Sequence, residues 1–223
     1  YAEMGSLNPV FFTPGALAEK ADELAKAAMD SALLGSGQFC TKPGIIVVPD
    51  DAAGDKFISQ IESYVAEQKV GPLLNKGIAS RFTDAISSLT KSKGLKVISG
   101  TNNPDGFGVT PTIFVVNWSD VKNHHDLLEE HFGPTSVIIR APFDQFLTVA
   151  AAMAGQLTAA LHAAAGENVK DLVAKLSQLA GRVIWNGFPT AVSVTAAQNH
   201  GGQWPASSTH TTSVGLDALY RFV

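Results

Sequence analysis

Apolar positions along the chain repeat with two different periods. From Ala16 to Leu34, the residues Leu17, Ala21, Leu24, Ala28 and Ala32 recur at steps of three and four, the stripe of one helical face. Phe57, Ile61, Tyr64 and Val65 mark a second helix, with Asp50 and Asp51 placed to cap it. Further helices are expected over about 76–92, 143–154 and 169–180, with Pro142 at the first turn of the middle one. Between them lie apolar runs of strand length: Asn8 to Phe12, Ile45 to Val48, Leu95 to Ser99, Thr110 to Val116, Val137 to Ile139, Leu157 to His162 and Val183 to Trp185. Residues 126–130 read as the end of a short helical or irregular segment. The tail over 186–213, rich in Gly, Pro, Ser and Thr, reads as loop before a last short helix near 216–222.

Strands alternating with helices of this length imply an α/β fold with a largely parallel, twisted sheet flanked by helices. No repeat or low-complexity linker divides the chain, so residues 1–223 are read as one domain. With 45% hydrophobic and 16% charged residues, the composition fits a globular domain with a real core. A net charge of −4 without a basic cluster argues against nucleic acid as a partner. No apolar run approaches the roughly 20 residues that span a bilayer, so no membrane partner is expected. One cysteine cannot form an internal disulfide, and a cytoplasmic protein is the simplest reading. The opening Tyr1-Ala2-Glu3-Met4-Gly5 reads as if entered inside an element, the expectation for a piece of a longer protein.

The single cysteine sits in Gly35-Ser36-Gly37-Gln38-Phe39-Cys40-Thr41-Lys42-Pro43-Gly44, between a helix and a buried strand. Two readings stand: a small packing residue, or a thiol presented by glycines that let backbone approach a substrate. An ordinary thiol is only a few per cent thiolate near neutrality, so a nucleophile would need its surroundings. Glu3 precedes the first strand, and Glu129-Glu130 precede His131-Phe132-Gly133-Pro134, an aromatic coupled to a fixed turn. His200 lies in Asn199-His200-Gly201-Gly202-Gln203-Trp204-Pro205, and as a single residue reads as a satisfied loop histidine or as a catalytic one. No metal site is expected: His124 and His125 are consecutive, and Cys40 has no zinc-pattern partner. Phosphate-loop, Rossmann and nucleophile-elbow fingerprints are missing from the chain.

Three of these pieces together resemble the aldehyde dehydrogenase superfamily, in its catalytic C-terminal domain. Glu3-Met4-Gly5-Ser6-Leu7-Asn8-Pro9 is similar to that family's Glu-Leu-Gly-Gly-Lys-x-Pro motif, and Gly37-Gln38-Phe39-Cys40 to its Gly-Gln-x-Cys loop. Glu130-His131-Phe132-Gly133-Pro134 resembles its Glu-x-Phe-Gly-Pro motif. The order matches, and Glu3 and Cys40 stand 37 positions apart, close to the family spacing. The tail from His200 to Ser207 resembles the branch of the α-ketoglutarate-semialdehyde (2,5-dioxopentanoate) dehydrogenases and a bacterial NADP-dependent fatty aldehyde dehydrogenase.

The resemblance implies Cys40 as nucleophile, Glu3 as general base, and His200 as an activator of the cysteine. It implies Glu130 on the nicotinamide ribose and Phe132 near that ring. It further implies an aldehyde substrate, a semialdehyde or fatty aldehyde, and NADP or NAD held mainly by a cofactor-binding domain that would precede Glu3. In the intact protein it implies a homo-oligomer, and an inactive chain without that domain. Two other readings are carried: a cysteine-dependent hydrolase or acyltransferase, in which His200 would bond Cys40 with an orienting group behind the imidazole, and a folded piece without turnover.

Overall fold

The computed structural model describes residues 1–190, 192–209 and 211–223. In chain order the elements are β1 (Val10–Phe12), α1 (Pro14–Leu33), β2 (Ile45–Pro49), α2 (Ala52–Ala66), α3 (Lys76–Thr90), β3 (Lys96–Ser99), β4 (Thr112–Asn117), α4 (Trp118–Val121), β5 (Thr135–Ala141), α5 (Phe146–Ala151), β6 (Gln156–His162), α6 (Lys170–Leu179) and β7 (Ala180–Trp185). Among the described residues the strands form one sheet in the order β3-β4-β5-β2-β1-β6-β7. Every neighbouring pair is parallel except the edge pair β3–β4. This is the α/β architecture that the two periodicities imply.

Side chains alternate across the sheet with the two-residue strand period. Ile45, Val47 and Phe11 enter one core with Phe146, Leu172 and Leu176 from α5 and α6. Val10, Phe12, Ile46 and Val48 enter the other, against α1 and α2. Both faces of β2 are covered, which is why its sequence is an unbroken apolar run rather than an alternation. Local signals start the helices: the Thr13 hydroxyl accepts from the Ala16 amide with Pro14 in the first turn, and Asp51 Oδ1 accepts from Ala53 and Gly54.

Several strand ends shift by one to three residues, and three helix boundaries differ from the expectation. Pro142 has ψ of 140° and ends β5 instead of opening a helix; a 3₁₀ turn over Phe143–Gln145 precedes α5, which closes at Ala151. The chain must straighten there, because Gly155 passes so close to the next loop that a Cβ would meet the Trp204 carbonyl at 2.3 Å. At the end of α6, Ala180 is already extended (φ −124°, ψ 148°) and begins β7. Helix α3 stops at Thr90. No helix among the described residues is long and apolar enough to cross a membrane.

The topology reverses between β1 and β6, since α1 leaves β1 toward β2 on one face and α6 leaves β6 toward β7 on the other. In open α/β sheets the crevice at the carboxyl ends of such a pair is the usual ligand site. Here the chain fills it with its own anion. Glu167 accepts from the Thr13 hydroxyl, from the Gly15 amide at 2.9 Å and from the Ala164 amide at 2.7 Å. A Cβ on Gly15 would lie 2.6 Å from that carboxyl carbon, so glycine is required for the plug to seat. Glu167→Ala strands one hydroxyl and two amides. It is expected to cost about 1–3 kcal/mol, read as a lower urea midpoint with an unchanged slope.

Candidate active site

With the carboxyl edge plugged, the candidate residues gather at the opposite edge, on segments entering the amino ends of the strands. Gln156, the first residue of β6, accepts with its Oε1 from the amides of Leu7 (2.6 Å) and Asn8 (3.0 Å) and from the Ser6 hydroxyl (3.0 Å). Asn8 holds a left-handed backbone (φ 47°), and its Nδ2 donates to the carbonyls of Cys40 (2.9 Å) and Lys42 (3.0 Å). The segment that carries Glu3 is thereby fastened to the segment that carries Cys40.

The cysteine loop is a run of left-handed residues, Gly35, Ser36 and Gly37, at φ between 57° and 68°. Ser36 tolerates this while its hydroxyl donates to the Gly71 carbonyl. Gly37 must be glycine on two counts: its φ, and a Gly133 carbonyl that a Cβ would meet at 2.1 Å. The loop nests directly on the turn after Glu130. Cys40 is exposed at the end of this loop.

The fold brings Cys40, Glu3 and His200 to one point. Cys40 Sγ lies 3.6 Å from His200 Nε2, and the same nitrogen lies 3.3 Å from Glu3 Oε2. The tail presents the imidazole: the His200 amide donates to Thr212 Oγ1, and its carbonyl accepts from the Ser213 amide. Glu3 is held in an isolated bridge with Ser207, and its Oε1 lies 3.5 Å from Arg221 Nη2. Nε2 faces a carboxylate, so the tautomer with its hydrogen on Nε2 is favoured. Partial desolvation of the sulfur and the neighbouring Glu3 charge push the Cys40 thiol up; the amides of Cys40 and Thr41 and the Arg182 guanidinium oppose this.

Glu130 lines a neighbouring stretch of the same edge, against Gly5 and Ser6, and Cys40, Glu3 and His200 are not among the residues of its cleft. The Glu130 Oε2 would be 3.0 Å from a Cβ on Gly5, so the bare backbone there forms its seat. It borders a cleft of about 510 Å³ shared with Met4, Gly5, Gly155, Trp204 and Pro205. Burial raises its carboxyl above the usual range, against the Ser6 amide and the Lys42 ammonium. Phe132 lies on the far side of Glu130, over Arg81 and Phe82, and does not line that cleft. Among the described residues no group of three or more His, Cys, Asp or Glu could hold a metal.

Four residues at the site went unread in the sequence: Asn8, Gln156, Arg182 and Arg221. Arg182, on β7, donates to the Pro189 carbonyl and keeps a buried Nε without a partner among the described residues. Arg221 also donates to the Thr211 carbonyl at 2.5 Å. None carries a local signal, because their partners are distant in sequence.

A free thiol on a left-handed turn, met by an imidazole and a carboxylate at the amino edge of a parallel sheet, defines an α/β domain equipped for thiol-nucleophile chemistry. Comparison with known proteins supplies the family: the profile of the aldehyde dehydrogenase family matches residues 1–222, and the chain belongs to that family. It is 36% identical over 228 residues to alpha-ketoglutaric semialdehyde dehydrogenase 2 of Azospirillum brasilense, covering all of this chain and 43% of that protein. It is 35% identical over 229 residues to alpha-ketoglutaric semialdehyde dehydrogenase of Acinetobacter baylyi, covering all of this chain and 44% of that one. The chain thus spans less than half the length of these relatives. The fold matches the crystal structure of 1-pyrroline-5-carboxylate dehydrogenase from Thermus with bound NAD at a TM-score of 0.82 and 21% identity, over all of this chain and 43% of that one.

The electrostatics make one statement that a measurement can check. Glu3 is a source of the raised Cys40 pKa, so Glu3→Gln in the full-length protein should lower it and speed alkylation near about pH 8. A pH–rate profile with iodoacetamide reads this directly; an apparent pKa that stays or rises would count against the coupling.

Proposed function

We propose that this chain is the catalytic domain of a nicotinamide-dependent aldehyde dehydrogenase that oxidises a semialdehyde to a carboxylic acid. The observation that carries the reading is the convergence of Cys40 and Glu3 on one imidazole nitrogen, at 3.6 and 3.3 Å. The Cys40 thiol releases its proton to solvent, and the thiolate adds to the aldehyde carbon, forming a C–S bond and an oxyanion that the Cys40 amide can hold. His200, with hydrogen on Nε2, donates to the thiolate before attack. A nicotinamide held there would supply the hydride acceptor: the C–H bond of the adduct would break as its oxyanion collapses, leaving a thioester on Cys40. Glu3 then takes a proton from water; hydroxide adds to the thioester carbon, the C–S bond breaks, and the thiolate leaves.

In this reading Glu130 holds hydroxyls of the cofactor ribose and Phe132 packs near the nicotinamide. The Gly5 seat and the open cleft fit such a role for Glu130. Residues 1–223 act as one domain that docks on a cofactor-binding domain and works within a cytoplasmic homo-oligomer. Trp204, Leu216, Leu219 and Tyr220, each more than 60% exposed, support a docking partner. The relatives' names favour a semialdehyde over a fatty aldehyde, and NAD and NADP are both compatible with the residues present.

The Cys40–His200 contact also favours a second reading, a cysteine-dependent hydrolase that needs no nicotinamide. Against it, the carboxylate meets the same ring nitrogen as the sulfur instead of orienting the ring from behind. Variants of the full-length protein separate the two. Cys40→Ala should lower aldehyde oxidation by roughly 10⁴-fold or more. Glu3→Gln should keep the burst of reduced cofactor while steady-state turnover falls by about 10²-fold or more. Near-normal turnover in the first variant would sink the reading; loss of the burst in the second would make Glu3 the activator of the thiol.

A further inference from the structure

We propose that Lys42 is a positioning residue for the cofactor-contacting turn, its buried ammonium setting Glu130 and Phe132 in place relative to Cys40. The inference rests on the dehydrogenase reading above and extends it to a residue that none of the motifs contains. Lys42 lies two positions after Cys40 and is 3% exposed. Its Nζ donates to three carbonyls: His131 at 2.9 Å, Gly133 at 3.2 Å and Thr135 at 2.8 Å. Three donors meet three acceptors, so the ammonium is fully satisfied. It makes no ion pair among the described residues, and three carbonyl dipoles, with the Glu130 charge at longer range, compensate its burial.

The arrangement works in both directions. Alternate carbonyls at 131, 133 and 135 converge on one point, where their dipoles repel one another unless a cation sits between them. Lys42 supplies that cation, and the stretch it holds carries Phe132 and follows directly on Glu130. Its own carbonyl, with that of Cys40, is held by Asn8 Nδ2. One residue therefore couples the nucleophile loop to the turn that would hold the cofactor, and at Gly37 and Gly133 the two loops pack backbone against backbone.

Burial lowers the Lys42 pKa to about 8, with Glu130 opposing the shift. A neutral amine keeps two hydrogens, so above that pH one carbonyl loses its partner and the central charge is gone. The titratable groups facing Lys42 are Glu129, Glu130 and His131 from the turn; the other segments packed there, 6–7 and 135–137, carry none, and Cys40 is the titratable neighbour on its own loop. His131 is pushed below its ordinary value by burial, and the Cys40 thiol upward, so neither titrates near 8.

The test is a fluorescence titration of the full-length protein with NADH and with NADPH, which needs no turnover. Lys42→Met, of similar volume, should weaken cofactor binding roughly tenfold while iodoacetamide alkylation of Cys40 changes less than about twofold. Wild-type binding should be flat from about pH 6.5 to 7.5 and weaken above about 8, and the variant should show no such step. Unchanged affinity in Lys42→Met, or wild-type binding flat to about pH 9.5, overturns the inference and leaves the dehydrogenase reading intact. Should the variant not fold, the wild-type profile decides by itself. A wild-type protein that binds neither cofactor and reduces neither with any aldehyde overturns both.

Discussion

The carboxamide of Asn8 is the contact on which the geometry of the site depends. Its Nδ2 reaches two carbonyls of the cysteine loop, and its Oδ1 accepts from the Thr158 hydroxyl at 3.0 Å on β6. It does so from a left-handed backbone, a conformation that asparagine tolerates better than most residues. Three chain segments far apart in sequence thus share one fully buried side chain. Buried polar groups of this kind are costly when half satisfied and specifying when complete. Gln156 completes the knot by accepting from the two amides that flank the entry to β1.

Placing the chemistry at the amino edge of the sheet has an electrostatic consequence. In parallel α/β units the helix N-termini, which favour anions, point toward the carboxyl edge. That edge is where the Glu167 carboxylate sits, against the Gly15 amide in the first turn of α1. A thiol at the opposite edge follows a helix C-terminus and receives no such help. Its ionisation is supported locally, by the Cys40 and Thr41 amides and by Arg182, and these do not outweigh partial desolvation and Glu3. The imidazole of His200, reaching the sulfur from the tail, adds a donor that the sheet itself does not provide.

Most of the fold was legible because its signals are local. Asp51 starts a helix by contacts within three residues, and the runs at Val10–Phe12 and Ile45–Val48 are buried on both faces as their composition implies. Where reading failed, a distant contact had overruled a local preference: Gly155 against Trp204 ends α5 early. The site divides in the same way. Glu3, Cys40 and Glu130 stood out through family motifs, and His200 through its glycine-flanked loop. Lys42, Asn8, Gln156 and Arg221 did not, since each acts through partners that only the fold brings near. Lys42 did leave one trace, a lysine immediately before the Pro-Gly that leads into an unbroken apolar strand.

The shared nitrogen of His200 orders the proposed reaction. One Nε2 hydrogen cannot serve a thiolate and a carboxylate at full strength together, so the resting site holds Glu3 and Cys40 in mutual opposition. Attack on the aldehyde moves the sulfur's charge onto the substrate oxygen, and formation of the thioester removes it, leaving Glu3 as the anion facing the imidazole. Glu3 is then free to take the proton of a water molecule. Once it has done so it is neutral, and the thiolate that leaves when the thioester is hydrolysed meets no adjacent charge. The repulsion that raises the resting thiol is therefore relieved by attack and absent when the thiolate leaves, through the same bond changes that carry the substrate forward.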